Sequence, residues 1–274
     1  MIKRGKPAEI TMSEEGKILS AKKNGVGTLT FSNPERLNAM SREMTRAAAE
    51  VMEDFTQDPE VRVVIITGAG KKAFISGGDI SKFEKARATP EQLVEYNKDS
   101  TRFRVALRGI GKPTIAMIRG WCLGGGLAVA LNCDMRICTE DSQFGVPAAR
   151  LGIGYGAESL GQLVELCGPA VTKELMFTAR RYTAAEALRI GLVNQVVQAN
   201  MLEDFVHSYA ATMVDNAPLS IVAAKRIIDE YVKDEKERDT ALMEKVVADC
   251  FGSEDYIEGR RAFMEKRRPV FKGR

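Results

Sequence analysis

Histidine is almost missing from this 274-residue sequence: His207 stands alone, so histidine-based catalysis and histidine metal sites are not expected. The five cysteines (122, 133, 138, 167 and 250) form no CxxC pair and are odd in number. That excludes a disulfide scaffold and a zinc finger, and it fits reduced thiols in a cytoplasmic setting. No uncharged run reaches the roughly 18 residues of a membrane helix. The longest, Gly120 to Cys133, carries four glycines, and the opening MIKRGKPAEITMSEEGK has no apolar signal region. A dominant charge is lacking too: 40 Lys and Arg against 37 Asp and Glu leave +3, too little to imply nucleic acid. What is present, 45% hydrophobic and 28% charged residues, is the make-up of a globular chain rather than a disordered one. At this length one core can bury about three quarters of the unfolded surface.

Two extended runs, Lys17–Lys22 and Val26–Phe31, flank Lys23-Asn24-Gly25, a hairpin signal. Ser41 suits the N-cap of a helix whose apolar positions (Met44, Ala47, Ala48, Val51, Met52, Phe55) fall on one face. Val61–Thr67 is β-branched and reads as a buried strand, followed by a short return strand at Phe74-Ile75-Ser76. Thr89-Pro90 opens a second helix, ending near Lys112-Pro113. Thr114–Ile118 is another strand, and Leu127–Cys133 a buried helix that begins at glycines. Strands at Met135–Thr139 and near Ser142–Val146 come next. Strand pair, glycine turn and helix thus recur, an α/β pattern with a repeated unit. Later, Thr183–Glu186 fits a capping box with Gly191 as a stop, and Leu192–Val197 is a last strand. Helical patterns fill 203–214, 218–232, 239–251 and 254–267. Residues 1–200 therefore read as a core and 201–274 as a helical region packed on it or on a neighbouring subunit.

The glycine clusters carry the chemistry. Gly68-Ala69-Gly70 follows a strand but leads to another strand, whereas a dinucleotide fingerprint must open a helix, so no dinucleotide is expected. Gly77-Gly78-Asp79 and Gly124-Gly125-Gly126 make sense together. Glycines let a ligand approach peptide N–H groups, and the second cluster opens an apolar helix whose N-terminus favours negative charge. Two such N–H groups from different loops can form an oxyanion hole; tight turns and close packing are the structural alternative.

The segments AFISGGDIS (Ala73–Ser81), IRGWCLGGGLAVALNCDMRIC (Ile118–Cys138), RLNAM (Arg36–Met40), FGVPAARLGI (Phe144–Ile153), TAAEALRIGLVNQVV and AFMEKRRPVF resemble the crotonase, or enoyl-CoA hydratase/isomerase, superfamily. The match runs through nearly the whole chain, in order. It implies a spiral of ββα units followed by a helical trimerisation region, a trimer or dimer of trimers, and an acyl-CoA thioester as substrate. No cofactor is expected beyond the coenzyme A of that substrate, and no metal, nucleic acid or membrane partner. The carbonyl-polarising N–H groups fall on Gly78 and Gly125. The CoA nucleotide is expected around Arg36, Leu37, Asn38 and Ala39, with Ala73, Ser76 and Gly77 along the pantetheine path and Asp79 and Ile80 beside them. Of the basic tail, Lys266 is the residue carried over to CoA phosphates, those of a neighbouring subunit included. Trp121 is a candidate for the acyl pocket, with core packing as the alternative.

The family's hydratases place glutamates where this chain has Ala128 and Ala148. Water addition needs one group to activate water and another to protonate the α-carbon, and alanine does neither. A further family carboxylate site, used by dienoyl-CoA isomerases and a dehalogenase, falls near Gly156, where Tyr155 and Glu158 are the nearby titratable side chains. Glu158 also suits the N-terminus of the following helix. Tyr155 matches a decarboxylase branch that, unlike this chain, has a histidine at the Gly78 position. The resulting expectation is an enoyl-CoA hydratase/isomerase-family enzyme in which two-glutamate hydration is lost. Isomerisation, decarboxylation, thioester hydrolysis and a silent CoA-binding oligomer are the alternatives.

Overall fold

The computed structural model describes residues 8–10, 16–79 and 89–274. The chain opens with β1 (Ala8–Ile10), β2 (Lys17–Lys23) and β3 (Val26–Ser32). β2 and β3 pair antiparallel through Asn24 and Gly25, whose φ values of 51° and 78° make the left-handed turn that suits a twisted hairpin. Helix α1 (Arg42–Gln57) follows, capped by Ser41, whose side chain accepts from the Met44 N–H at 3.2 Å.

From there each repeat contributes one strand to each of two sheets. β4 (Val63–Gly68), β6 (Thr114–Ile118) and β8 (Met135–Thr139), with the late β11 (Gln195–Val197), join a seven-stranded sheet of order β1-β2-β3-β4-β6-β8-β11, parallel from β3 onward. Their successors β5 (Ala73–Ile75), β7 (Trp121–Leu123) and β9 (Gln143–Gly145), with β10 (Tyr182–Thr183), form a four-stranded sheet of order β10-β9-β7-β5. Helices α2 (Pro90–Gly109) and α3 (Gly125–Leu131) close the first two repeats. The short α4 (Ala148–Leu151) and the long α5 (Ala157–Thr178) follow the third. This is the expected ββα spiral. β7 went unread in the sequence: it has three residues, too few to show a period.

Both faces of the large sheet are covered, which is why β4 reads as an unbroken apolar run. Val64 and Ile66 face the main core with Phe31, Met52, Phe74 and Leu127. Val63 and Ile65 face a second cluster, completed by Leu202, Val206 and Ala210 of α7 (Leu202–Val214). Between α5 and α7 lie α6 (Ala184–Arg189), with both hydrogen bonds of the Thr183–Glu186 capping box, and β11 (Gln195–Val197). The chain ends in α8 (Pro218–Tyr231), α9 (Thr240–Phe251) and α10 (Glu254–Met264). Among the described residues no helix is long and apolar enough to cross a membrane.

Candidate active site

Strands β5 and β7 are parallel neighbours, with Ala73 opposite Trp121 and Ile75 opposite Cys122, so their C-terminal ends lie side by side. Ligands of open α/β sheets bind beyond such ends, and here each end runs into a glycine cluster. Gly77, at φ 121°, and Gly124, at φ 51°, turn the two loops through conformations that side chains rarely adopt. The turns bring the clusters face to face. A Cβ on Gly125 would lie 3.5 Å from the Gly78 nitrogen, and one on Gly77 would lie 3.9 Å from the Gly125 nitrogen. Gly125 is the first residue of α3, where an N–H has no intrahelical acceptor. Among the described residues neither the Gly78 nor the Gly125 N–H is hydrogen-bonded. Gly126 plays another part: a Cβ there would meet the Ile75 carbonyl oxygen at 2.1 Å, so it seats α3 against the end of β5.

A third segment braces the first cluster. The Ser76 N–H donates to the Leu37 carbonyl (3.1 Å), the Met40 N–H to Gly77 (2.8 Å), and the Asp79 N–H to Met40 (2.9 Å). Arg36 forms a 2.9 Å ion pair with the nearly buried Asp79. Arg36, Leu37, Ala39, Ala73, Ser76, Gly77 and Asp79 are thereby one neighbourhood; Ile80 lies outside the described residues. Leu37 and Asn38 both have positive φ (52° and 56°). What fixes them is Asn38, fully buried, which donates to the carbonyls of Ala69 (2.9 Å) and Ala73 (2.8 Å) and accepts from the Asn33 N–H (2.9 Å).

Both glycine clusters open onto a cavity of about 630 Å³. Ala128 and Ala148 line it, as do Tyr155 and Glu158. The Tyr155 hydroxyl stands 3.7 Å from where a Cβ on Gly124 would sit, and the intermediate burial of its ring packs it on the main core. Glu158 is in the first turn of α5, 68% exposed, and forms an ion pair with Arg104 of α2, which is 29% exposed. Arg104 was not singled out in the sequence. Its signal was the spacing Asn97, Ser100, Thr101, Arg104, a polar stripe on one face of α2 that lines the cavity. Asn132 closes the floor, donating to the Ala128 carbonyl (2.7 Å) and accepting from Gln162 (2.9 Å).

Trp121 and Lys266 are elsewhere. The Trp121 ring lies under the Arg181 guanidinium, 4.4 Å from ring centre to Cζ, and does not line the cavity. Lys266 is an exposed residue just after α10. Cys122, beside the glycines in sequence, is fully buried, and burial pushes its thiol well above the ordinary range, so no thiolate nucleophile forms there. Asp134 fixes a turn, accepting from the Thr114 N–H at 2.7 Å and from Lys225 at 2.9 Å.

The family model for enoyl-CoA hydratase/isomerase matches residues 21–274. The chain belongs to that family. As such it is an acyl-CoA enzyme of the crotonase superfamily. It is 33% identical to the short-chain-enoyl-CoA hydratase of Clostridium acetobutylicum, over 93% of this chain and 97% of that protein. It is 35% identical to a carnitinyl-CoA dehydratase of Salmonella paratyphi A, over 90% and 94%. Among solved structures, a putative enoyl-CoA hydratase/isomerase family protein from Hyphomonas neptunium superposes with a TM-score of 0.88 at 30% identity, covering 94% of this chain and 98% of that one.

Proposed function

We propose that the cavity takes the acyl end of a CoA thioester and that the Gly78 and Gly125 N–H groups stabilise its enolate. One observation carries this reading: two backbone donors without acceptors among the described residues, facing one gap at the mouth of a cavity. A thioester oxygen in that gap accepts both hydrogen bonds and gains most when it becomes negative, as the α-carbon loses a proton. The loop from Arg36 to Ala39, with Ala73, Ser76, Gly77 and Asp79, is assigned to the CoA moiety, and Lys266 to CoA phosphates, those of a neighbouring subunit included.

Hydration needs two cooperating groups, and the alanines at 128 and 148 supply none. On this reading the chain departs from the two-glutamate pattern that the resemblance implies for hydratases of the family. One carboxylate beside an oxyanion cradle suits proton transfer between carbons next to the thioester, an isomerase reaction. Glu158 is the assigned base, as the one carboxylate among the described residues that line the cavity. On a 3-enoyl thioester the carboxylate takes an α-proton, and the C–H electron pair moves into the thioester as an enolate. As the oxygen's charge returns to re-form the carbonyl, the double bond shifts from the 3- to the 2-position and the γ-carbon takes the proton back from the carboxyl. Decarboxylation and thioester hydrolysis are the other reactions the cradle admits. In the test, crotonyl-CoA hydration is measured beside isomerisation of a 3-enoyl-CoA. Isomerisation should exceed hydration, and Glu158→Gln should lower it by about 100-fold or more. Hydration faster than isomerisation sinks the reading; an unaffected Glu158→Gln enzyme passes the role to Tyr155. Thioester binding without turnover of any kind would mean a silent CoA-binding protein.

We also infer a homo-oligomer, a trimer or a dimer of trimers, in a reducing, cytoplasmic compartment. Large apolar side chains of the last helices lie open, among them Tyr231 (65% exposed), Phe251 (63%) and Phe263 (82%), and all five cysteines are unpaired. Sedimentation as a 30.1 kDa particle at micromolar concentration would contradict the assembly.

A further inference from the structure

We propose that the acyl group bound here ends in a carboxylate, which takes the place of Glu158 on Arg104. The inference rests on the acyl-CoA reading above and adds the substrate class to it. Arg104 is the only Lys or Arg among the described residues lining the cavity, and it is more enclosed than the carboxylate that pairs with it, 29% against 68% exposed. A guanidinium half withdrawn from water gains from a partner that is withdrawn with it. Glu158, near the rim, gives up the pair at little cost, since exposed ion pairs contribute only about 0–1 kcal/mol, and its released carboxylate stays in the cavity lining as the base. The planar guanidinium then offers two parallel N–H donors to the incoming carboxylate.

Three further features agree. The α2 lining passes from buried Phe103 and Leu107 to exposed Asn97 and Thr101, so the cavity has an apolar stretch for methylenes and a polar end on the face of α2 that carries Arg104. With alanine at 128 and 148, Glu158 is the one carboxylate among the described lining residues, so the charges of Arg104 and Glu158 cancel. Glutamates at those two positions would repel an acyl carboxylate; alanines do not. The same substitutions that remove hydration thus admit an anionic chain.

The test uses the full-length protein and titration calorimetry. Malonyl-, succinyl- and glutaryl-CoA are each compared with the alkyl thioester of equal carbon count, propionyl-, butyryl- and valeryl-CoA. At least one dicarboxylic thioester should bind about 10-fold or more tightly than its alkyl partner, and the best pair reports the reach to Arg104. Arg104→Met should bring that ratio close to one, Arg104→Lys should restore part of it, and Glu158→Gln should raise it by removing the competing carboxylate. Ratios at or below one for all three pairs overturn the proposal. So does a ratio that survives in Arg104→Met, or a 5-hydroxyvaleryl-CoA that binds more tightly than glutaryl-CoA. Should no thioester bind at all, the acyl-CoA reading itself falls, a result distinct from alkyl thioesters binding best.

Discussion

The two walls of the cavity are built on different principles. One is backbone: the turns at Gly77-Gly78 and Gly124-Gly125, set at the ends of adjacent parallel strands and braced by the 36–40 loop. The other is side chains: the α2 stripe ending at Arg104, the alanines at 128 and 148, Tyr155 on the loop into α5 and Glu158 in its first turn. The backbone wall is held from behind as well. Arg136, 4% exposed, donates to the carbonyls of Ala130 (3.3 Å) and Cys133 (2.8 Å) at the end of α3 and to Leu192 (2.9 Å). A cation there suits the negative end of a helix and ties α3 to the last repeat. Peptide groups cannot be exchanged by point mutation, so on the proposed reading the backbone wall is the part that holds the oxyanion. Side chains can be exchanged singly, so the same reading gives the choice of reaction and acyl group to the second wall.

The sharpest way to break this comparison is at two neighbouring glycines. Gly126→Ala puts a methyl 2.1 Å from the Ile75 carbonyl, a backbone atom that cannot move alone, and should cost about 3 kcal/mol or more, leaving little folded protein. Gly125→Ala clashes only with the flexible end of Met40, at 2.9 Å, its other neighbours lying at ordinary contact distance from 3.5 Å outward. It should fold with a near-normal melting temperature yet lose about 100- to 1000-fold in turnover, because the methyl intrudes between the two donors. Equal stability of the two variants, or full activity of Gly125→Ala, would mean that the backbone wall is not built as described.

The reverse experiment is on the side-chain wall. Ala128→Glu with Ala148→Glu should raise crotonyl-CoA hydration by about 100-fold or more, each single change giving far less, since paired acid and base groups act as a unit. Ala148 is 3% exposed, but both positions face the cavity, which has room for the new carboxylates. A folded double variant with no gain would show that the reaction is set elsewhere than by these two positions.

The difference between the walls also explains what could be read from the sequence. The hairpin at Asn24-Gly25, the Ser41 cap and the Thr183–Glu186 box are local signals, complete within a few residues, and they stand where expected. The glycine clusters are legible for the same reason: a positive φ is a property of one residue. The small sheet was only partly legible, because its strands have two or three residues and are defined by neighbours rather than by a period. Arg104 was the least legible of the cavity residues, since a polar stripe at helical spacing does not by itself tell a site from solvent-facing surface. Its position is helical surface in sequence, and only the packing of α2 across from α5 turns it towards the cavity. Asn38 shows an intermediate case: it stands within a motif carried by resemblance, but its three hydrogen bonds could not be inferred from that motif.

The smallest effect concerns the sealed back of the glycine wall and needs a pH scale to be seen. Cys133, 4% exposed, sits at the end of α3, and burial, only partly offset by nearby Arg136, pushes its thiol from an ordinary 9.0 up to about 12. Cys138, on β8, is raised to about 12 by burial as well. Between these limits the unfolded chain gives up a thiol proton that the folded chain retains. The folded state then binds more protons than the unfolded, so stability falls as pH rises above about 9 and levels off near 12. Each such thiol contributes a slope of up to about 1.4 kcal/mol per pH unit in that window and nothing at neutral pH. Replacing Cys133 with alanine should therefore leave the urea midpoint at pH 7 changed only by the small packing loss, and should flatten its decline between pH 9 and 11. An unaltered alkaline slope in Cys133→Ala, with Cys138 untouched, would mean that this end of α3 opens to water before the rest of the chain unfolds. The backbone wall would then be the more mobile of the two.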